Sequence, residues 1–322
     1  MSFDQGQYAQ FKTAKQGIHV LDGNDLVEAG ILANGDRLDR IIVLQRTESV
    51  LSHINDTTQN FITSTPYFID DSDSILDPSS KVYFYSNAAY GVNWNNNDGK
   101  YQYTAHPYSN FEHFLVSATD QPNTNGMITV SGNQSGQPSR TISTSRQFWH
   151  RDTAMYNLVG TGRRWFGELF DFTTIQAFEL PFLPITSMNS SNMYIELNAV
   201  ARSSSSGTSL AVQGTTAIQF PSVSTSSVAN YVTEASFNSF FPASKQIVLN
   251  YDKSSDNGAA LWLDQLKVNY LTSNAYVGHA NYQKKFQNFP RSADSTSIVQ
   301  VDGQGLLVFD VTNASQPVYI ES

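Results

Sequence analysis

The chain has no cysteine. That one absence removes disulfides, thiolate metal sites and cysteine nucleophiles together. Charge is sparse and lopsided: 19 Lys and Arg stand against 28 Asp and Glu, a net −9 over 322 residues. A nucleic-acid face needs clustered Lys and Arg, so that class of partner is excluded. No apolar run is long enough to span a bilayer. The opening MSFDQGQYAQFKTAKQG lacks the apolar core of a signal peptide, so an exported parent implies that this chain is its mature part. Only six histidines occur, His19, His53, His106, His113, His150 and His279, and no two stand at i, i+2 or i+4. Common local zinc patterns are therefore missing, as are a Gly-x-Ser-x-Gly elbow and a phosphate-binding glycine loop.

What is present is Ser, Thr, Asn and aromatics, with 16 Tyr and 20 Phe. Short β-branched and aromatic runs alternate with polar turns, as in DRIIVLQR (39–46), NFITSTPYFI (60–69), NFEHFLVSA (110–118), NMYIELNAVA, KQIVLNYD and ALWLDQLKVNYL. A hairpin turn is expected at Asp98-Gly99. One helical pattern, HVLDGNDLVEAGIL, has Asn24 or Asp25 as its expected N-cap and closes on Gly30. The pattern predicts an all-β protein of two β domains with one short helix near the N-terminus. The Pro-, Gly-, Asn- and Gln-rich stretch 119–141 separates a mainly β domain, 1–140, from a jelly-roll-like β-sandwich, 141–322.

The richest stretch is FWHRDTAMYNLVGTGRRWFGELFDFTTIQAFELPF (148–182). Aromatics crowd around Gly160, Gly162 and Gly167, with the adjacent pair Arg163 and Arg164 among them. One reading is a bend between strands, with an arginine stacked on a Trp face and bonded to Asp152 or Glu168. That reading expects Trp165 to be buried, Arg163 or Arg164 to be tied to a carboxylate or to carbonyls, and Gly162 and Gly167 to sit where a Cβ would intrude. The other reading is an anion or carbohydrate subsite. Asp264, on an apolar strand beside Trp262, is expected to bond an arginine or a turn, and Asp310 to fix the turn at Thr312-Asn313. Glu168, Asp171, Glu179 and Asp264 lie nearest the aromatics, but sequence does not give the separation that a glycosidase pair requires.

Asp70, Asp71, Asp73 and Asp77 alternate along IDDSDSILDPSS (69–80). Such carboxylates either converge on Ca²⁺, the one candidate cofactor, or cap their own backbone in a solvated turn.

The run NLVGTGRRWFGELFD (157–171) resembles Asn-Leu-x-x-Ser-Gly-Arg-x-Trp-Tyr-Gly-Glu-x-Phe, a signature from the non-catalytic region ahead of the peptidase domain in gingipain-type sortases of type IX secretion. Thr161 replaces Ser and Phe166 replaces Tyr. GAALWLDQLKVNYL (258–271) resembles the family's Gly-Trp-Leu-Asp-Tyr-Ile strand, and LLVFDVTNASQP (306–317) its Val-Trp-Asp-Val-Thr-Asp-Pro strand, in the same order. The resemblance implies a non-catalytic module of a cell-surface cysteine peptidase, exported to the outer membrane and not itself membrane-spanning. It also implies three partners: the parent's own C-terminal peptidase domain, an outer-membrane β-barrel shuttle protein, and secreted cargo. The chain, lacking cysteine, is expected to be no enzyme. A carbohydrate-binding module or adhesin is the alternative from a different class.

Overall fold

The computed structural model describes residues 7–46, 62–71, 73–106, 109–132, 140–158, 164–185, 193–204, 207–223, 231–275, 283–286, 297–299, 301 and 305–321. The chain divides into two compact units, and β structure dominates both.

The first unit holds β1 (Ala9–Thr13), β2 (Gly17–Asp22), α1 (Gly23–Glu28), β3 (Ile41–Arg46), β4 (Ile62–Thr65), β5 (Tyr67–Asp70), β6 (Lys81–Ser86), β7 (Gly91–Asn95), β8 (Lys100–Thr104), β9 (Glu112–Ala118) and β10 (Ile128–Ser131). One sheet runs β1-β9-β3-β4 and another β2-β6-β5. Both contribute to one core, in which Phe84 of β6 meets Phe114 of β9 at 4.8 Å between ring centroids. Pro66 explains why the expected single strand at 60–69 is two: it offers no N–H, and the chain passes there from the first sheet to the second. The helix starts earlier than expected. Its N-cap is Asp22, and Asp25 closes a capping box by accepting the Asp22 N–H while its own N–H donates to the Asp22 side chain. Gly30, at φ +69, ends it. Gly99, at φ +63, makes the expected turn between β7 and β8.

The second unit, Gln137–Gly303, contains β11 (Arg140–Ile142), β12 (Thr144–Arg151), β13 (Leu169–Phe170), β14 (Ile175–Glu179), β15 (Met193–Arg202), β16 (Thr208–Val212), β17 (Thr215–Phe220), β18 (Thr233–Phe241), β19 (Gln246–Asp252), β20 (Ala260–Ser273) and β21 (Ser297–Val299). One sheet is β12-β20-β15-β18, with β13 also on β20; the other is β14-β19-β16-β17. Alternate residues of both, such as Ile195, Leu197, Leu249, Leu261 and Val268, form a closed core between the sheets.

The last strands, β22 (Val308–Asp310) and β23 (Val318–Glu321), belong to the first unit, so the second does not run on to 322. The reason is local. β23 pairs in parallel with β10, and Phe309 and Tyr319 pack on Phe68, with Tyr319 stacked at 4.1 Å.

Candidate interaction site around Arg164

β20 changes partner part-way along. β12 pairs with it as far as Arg151 opposite Leu266, and β13 takes over at Leu169 opposite Trp262. Between these points the register of β15 on β20 shifts, from Asn198 opposite Gln265 to Ala199 opposite Leu263, leaving Asp264 as the extra residue of a β-bulge. Leu263 and Leu266 both point into the core, and both residues between them are left on the outer face. Asp264 there accepts a bond from Arg164, and Gln265 donates to Asp152 at 3.0 Å.

The described residues between β12 and β13, 152–158 and 164–168, leave the sheet as a strap. Its stem is tied where Phe166 N–H donates to the Tyr156 carbonyl at 2.8 Å and Tyr156 N–H returns to the Phe166 carbonyl at 2.9 Å. The stem rejoins β20 through Gly167 N–H to the Leu263 carbonyl, 2.6 Å, and Leu263 N–H to the Glu168 carbonyl, 2.9 Å. Phe166 faces inward and closes a small apolar cluster with Val200 and Trp262, separate from the main core. The side chains flanking Val200 and Trp262 in sequence lie in that main core, so the cluster occupies the opposite face of the sheet.

Arg164 holds the strap across this face. Its guanidinium lies over the Phe166 ring, 5.0 Å from the centroid. Nη1 donates to Glu234 at 2.7 Å, Nη2 donates to the other Glu234 oxygen, and Nη2 also donates to Asp264 at 3.0 Å. Glu234 is on β18 and Asp264 on β20, with Val200 of β15 between them, so one arginine ties together two strands that are not neighbours. Its hydrogen bonds, with its charge behind them, hold the Glu234 carboxyl below the ordinary range. Asp264 moves the other way: burial raises it, by more than Arg164 lowers it.

Trp165 is not buried. It is 48% exposed, because on extended backbone successive side chains take opposite faces, and Arg164 and Phe166 hold the inward ones. Met155, 56% exposed, precedes Tyr156 on the opposing stem residues. The arginine that stacks does so on Phe166 rather than a Trp, and its acids are Glu234 and Asp264 rather than Asp152 or Glu168. Glu168 is paired with Arg151 at 2.6 Å and accepts from Thr153. Gly167 is needed for close approach: a Cβ there would lie 2.4 Å from Thr153 Oγ1 and 3.1 Å from the Leu263 carbonyl. Gly162 and Arg163 lie outside the described residues. In the sequence nothing marked Glu234, since only the tertiary fold brings it to the strap.

No family model matches the chain, and no curated protein matches it. Among solved structures, dimeric latent PorU from Porphyromonas gingivalis matches 98% of the chain with a TM-score of 0.65 at 18% identity. The chain has the fold of a segment of PorU. It corresponds to 29% of the PorU chain, so it spans less than a third of that protein. A protein in complex with neoagarooctaose (9% identity, 83% of this chain and 32% of that one, TM-score 0.21) carries no argument. Nor does the Bacillus thuringiensis insecticidal crystal protein Cry7Ca1 (7%, 62% and 31%, TM-score 0.19).

On this PorU-like fold the acidic loop caps itself. Asp71 Oδ1 accepts the N–H groups of Asp73 and Ser74, its Oδ2 accepts the Ser80 hydroxyl, Asp73 accepts Ile75 N–H, and Asp77 accepts from Ser79 and Ser80. Those bonds hold the Asp71 and Asp77 carboxyls below their usual range. Asp70 is the last residue of β5, opposite Lys81. Among the described residues no three His, Asp or Glu side chains are grouped to hold a metal ion; of the candidate calcium ligands Asp70, Asp71, Asp73 and Asp77, the last three spend carboxylate oxygens on their own turn. Asp310 accepts Thr312 N–H at 2.8 Å and fixes its turn. Trp262, 8% exposed, offers no sugar platform.

Proposed function

We propose that this chain is a non-catalytic scaffold of a type IX secretion peptidase resembling PorU, positioning a peptidase domain and docking an outer-membrane β-barrel partner at the cell surface. The observation that carries this reading is the match of 98% of the chain to a segment of PorU. The absence of cysteine supports it, since a gingipain-type peptidase needs a thiolate that this chain cannot supply. The strap supports it as well. Arg164 and Phe166 hold it on the sheet, and it presents Trp165 and Met155 outward on a fixed base, the arrangement of an aromatic anchor at an interface. Secreted cargo is the remaining proposed partner. The test is capture from detergent-solubilised outer membranes with the purified chain as bait. Enrichment of a β-barrel outer-membrane protein, lost with Trp165→Ala, supports the proposal; no enrichment by the folded wild-type chain overturns it.

A further inference from the structure

We draw no further inference here: the strongest candidate, the edge strand Ile175–Glu179 of the second unit with exposed Ile175 on it and exposed Phe172 and Leu183 in the chain before and after it, is an apolar surface for which nothing in the structure shows what covers it.

Discussion

Arg164 and Glu234 form a two-pronged ion pair between residues 70 positions apart, and Asp264 shares the same guanidinium. The three members are not equivalent. Arg164 and Glu234 are about half exposed, at 46% and 51% of their side chains, whereas Asp264 is at 23%. An exposed pair contributes about 0–1 kcal/mol, so Glu234→Gln should cost less than about 1 kcal/mol. Arg164→Met should cost more, about 1–2 kcal/mol, because it leaves the less exposed Asp264 without its donor. Urea melts of both single variants and the double variant check this. The double should fall short of the sum, since both substitutions break one bond pair. Equal costs for the two singles would mean that Asp264 gains nothing from Arg164.

Gly167→Ala should destabilise by about 1–3 kcal/mol, the usual cost of forcing a methyl into packed surroundings. The nearest obstacle is Thr153 Oγ1, 2.4 Å from the added carbon, and the Leu263 carbonyl behind it cannot rotate away. Adding Thr153→Ala should recover part of the loss but not all. Full recovery would leave the backbone contact with no cost.

How far the sequence could be read follows from which interactions are local. Strands such as ALWLDQLKVNYL, the Asp98-Gly99 turn and the Asp310 turn announce themselves by alternation and short-range bonding, and each is found where expected. The N-cap lies at Asp22 rather than at Asn24 or Asp25, because Asp22 and Asp25 both have capping side chains and only the reciprocal bonds show which one caps. Trp165 faces outward against expectation for a different reason. Trp165 and Phe166 are neighbours of similar apolar size, and which one points inward depends on the register of the stem against Tyr156. The bulge at Asp264 was invisible because it exists only relative to β15. The return of the last two strands to the first unit is equally non-local, since it rests on pairing between β10 and β23.

His150 should make stability depend on pH. It is largely enclosed and stacked on Phe148, and burial depresses its pKa to about 4 from 6.5. Between those values the unfolded chain binds a proton that the native state refuses, so stability falls as pH drops from 6.5 to 4. The proton difference amounts to roughly 2–3 kcal/mol across that window. His150→Phe should flatten this part of the profile in melts at pH 4, 5, 6 and 7. A variant as acid-sensitive as the wild type would assign the loss to other groups.

Calcium should leave the chain unchanged. The oxygens of Asp71, Asp73 and Asp77 already accept backbone and serine donors, and a cation would have to displace them. Calorimetric titration with Ca²⁺ should show no binding heat, and the melting temperature should be the same in chelator. A saturable heat would mean that the turn opens into a site.

The two tryptophans near the strap separate packing from docking. Trp262 lies under Phe166 and beside Val200, 8% exposed, so Trp262→Ala should cost roughly 3–5 kcal/mol, the range for deleting a buried large aromatic. Trp165 is one position from Phe166 but faces outward, and Trp165→Ala should stay within about 0.5 kcal/mol of the wild type, as surface changes do. An exposed indole that contributes little to folding is free to contribute to binding, so the same variant should lose capture of the proposed outer-membrane partner while melting normally. Guanidinium melts and membrane capture, run on both variants, decide the point. If Trp165→Ala unfolds early, the indole is part of the strap's packing; if it melts normally and still captures the partner, the docking surface lies elsewhere on the chain.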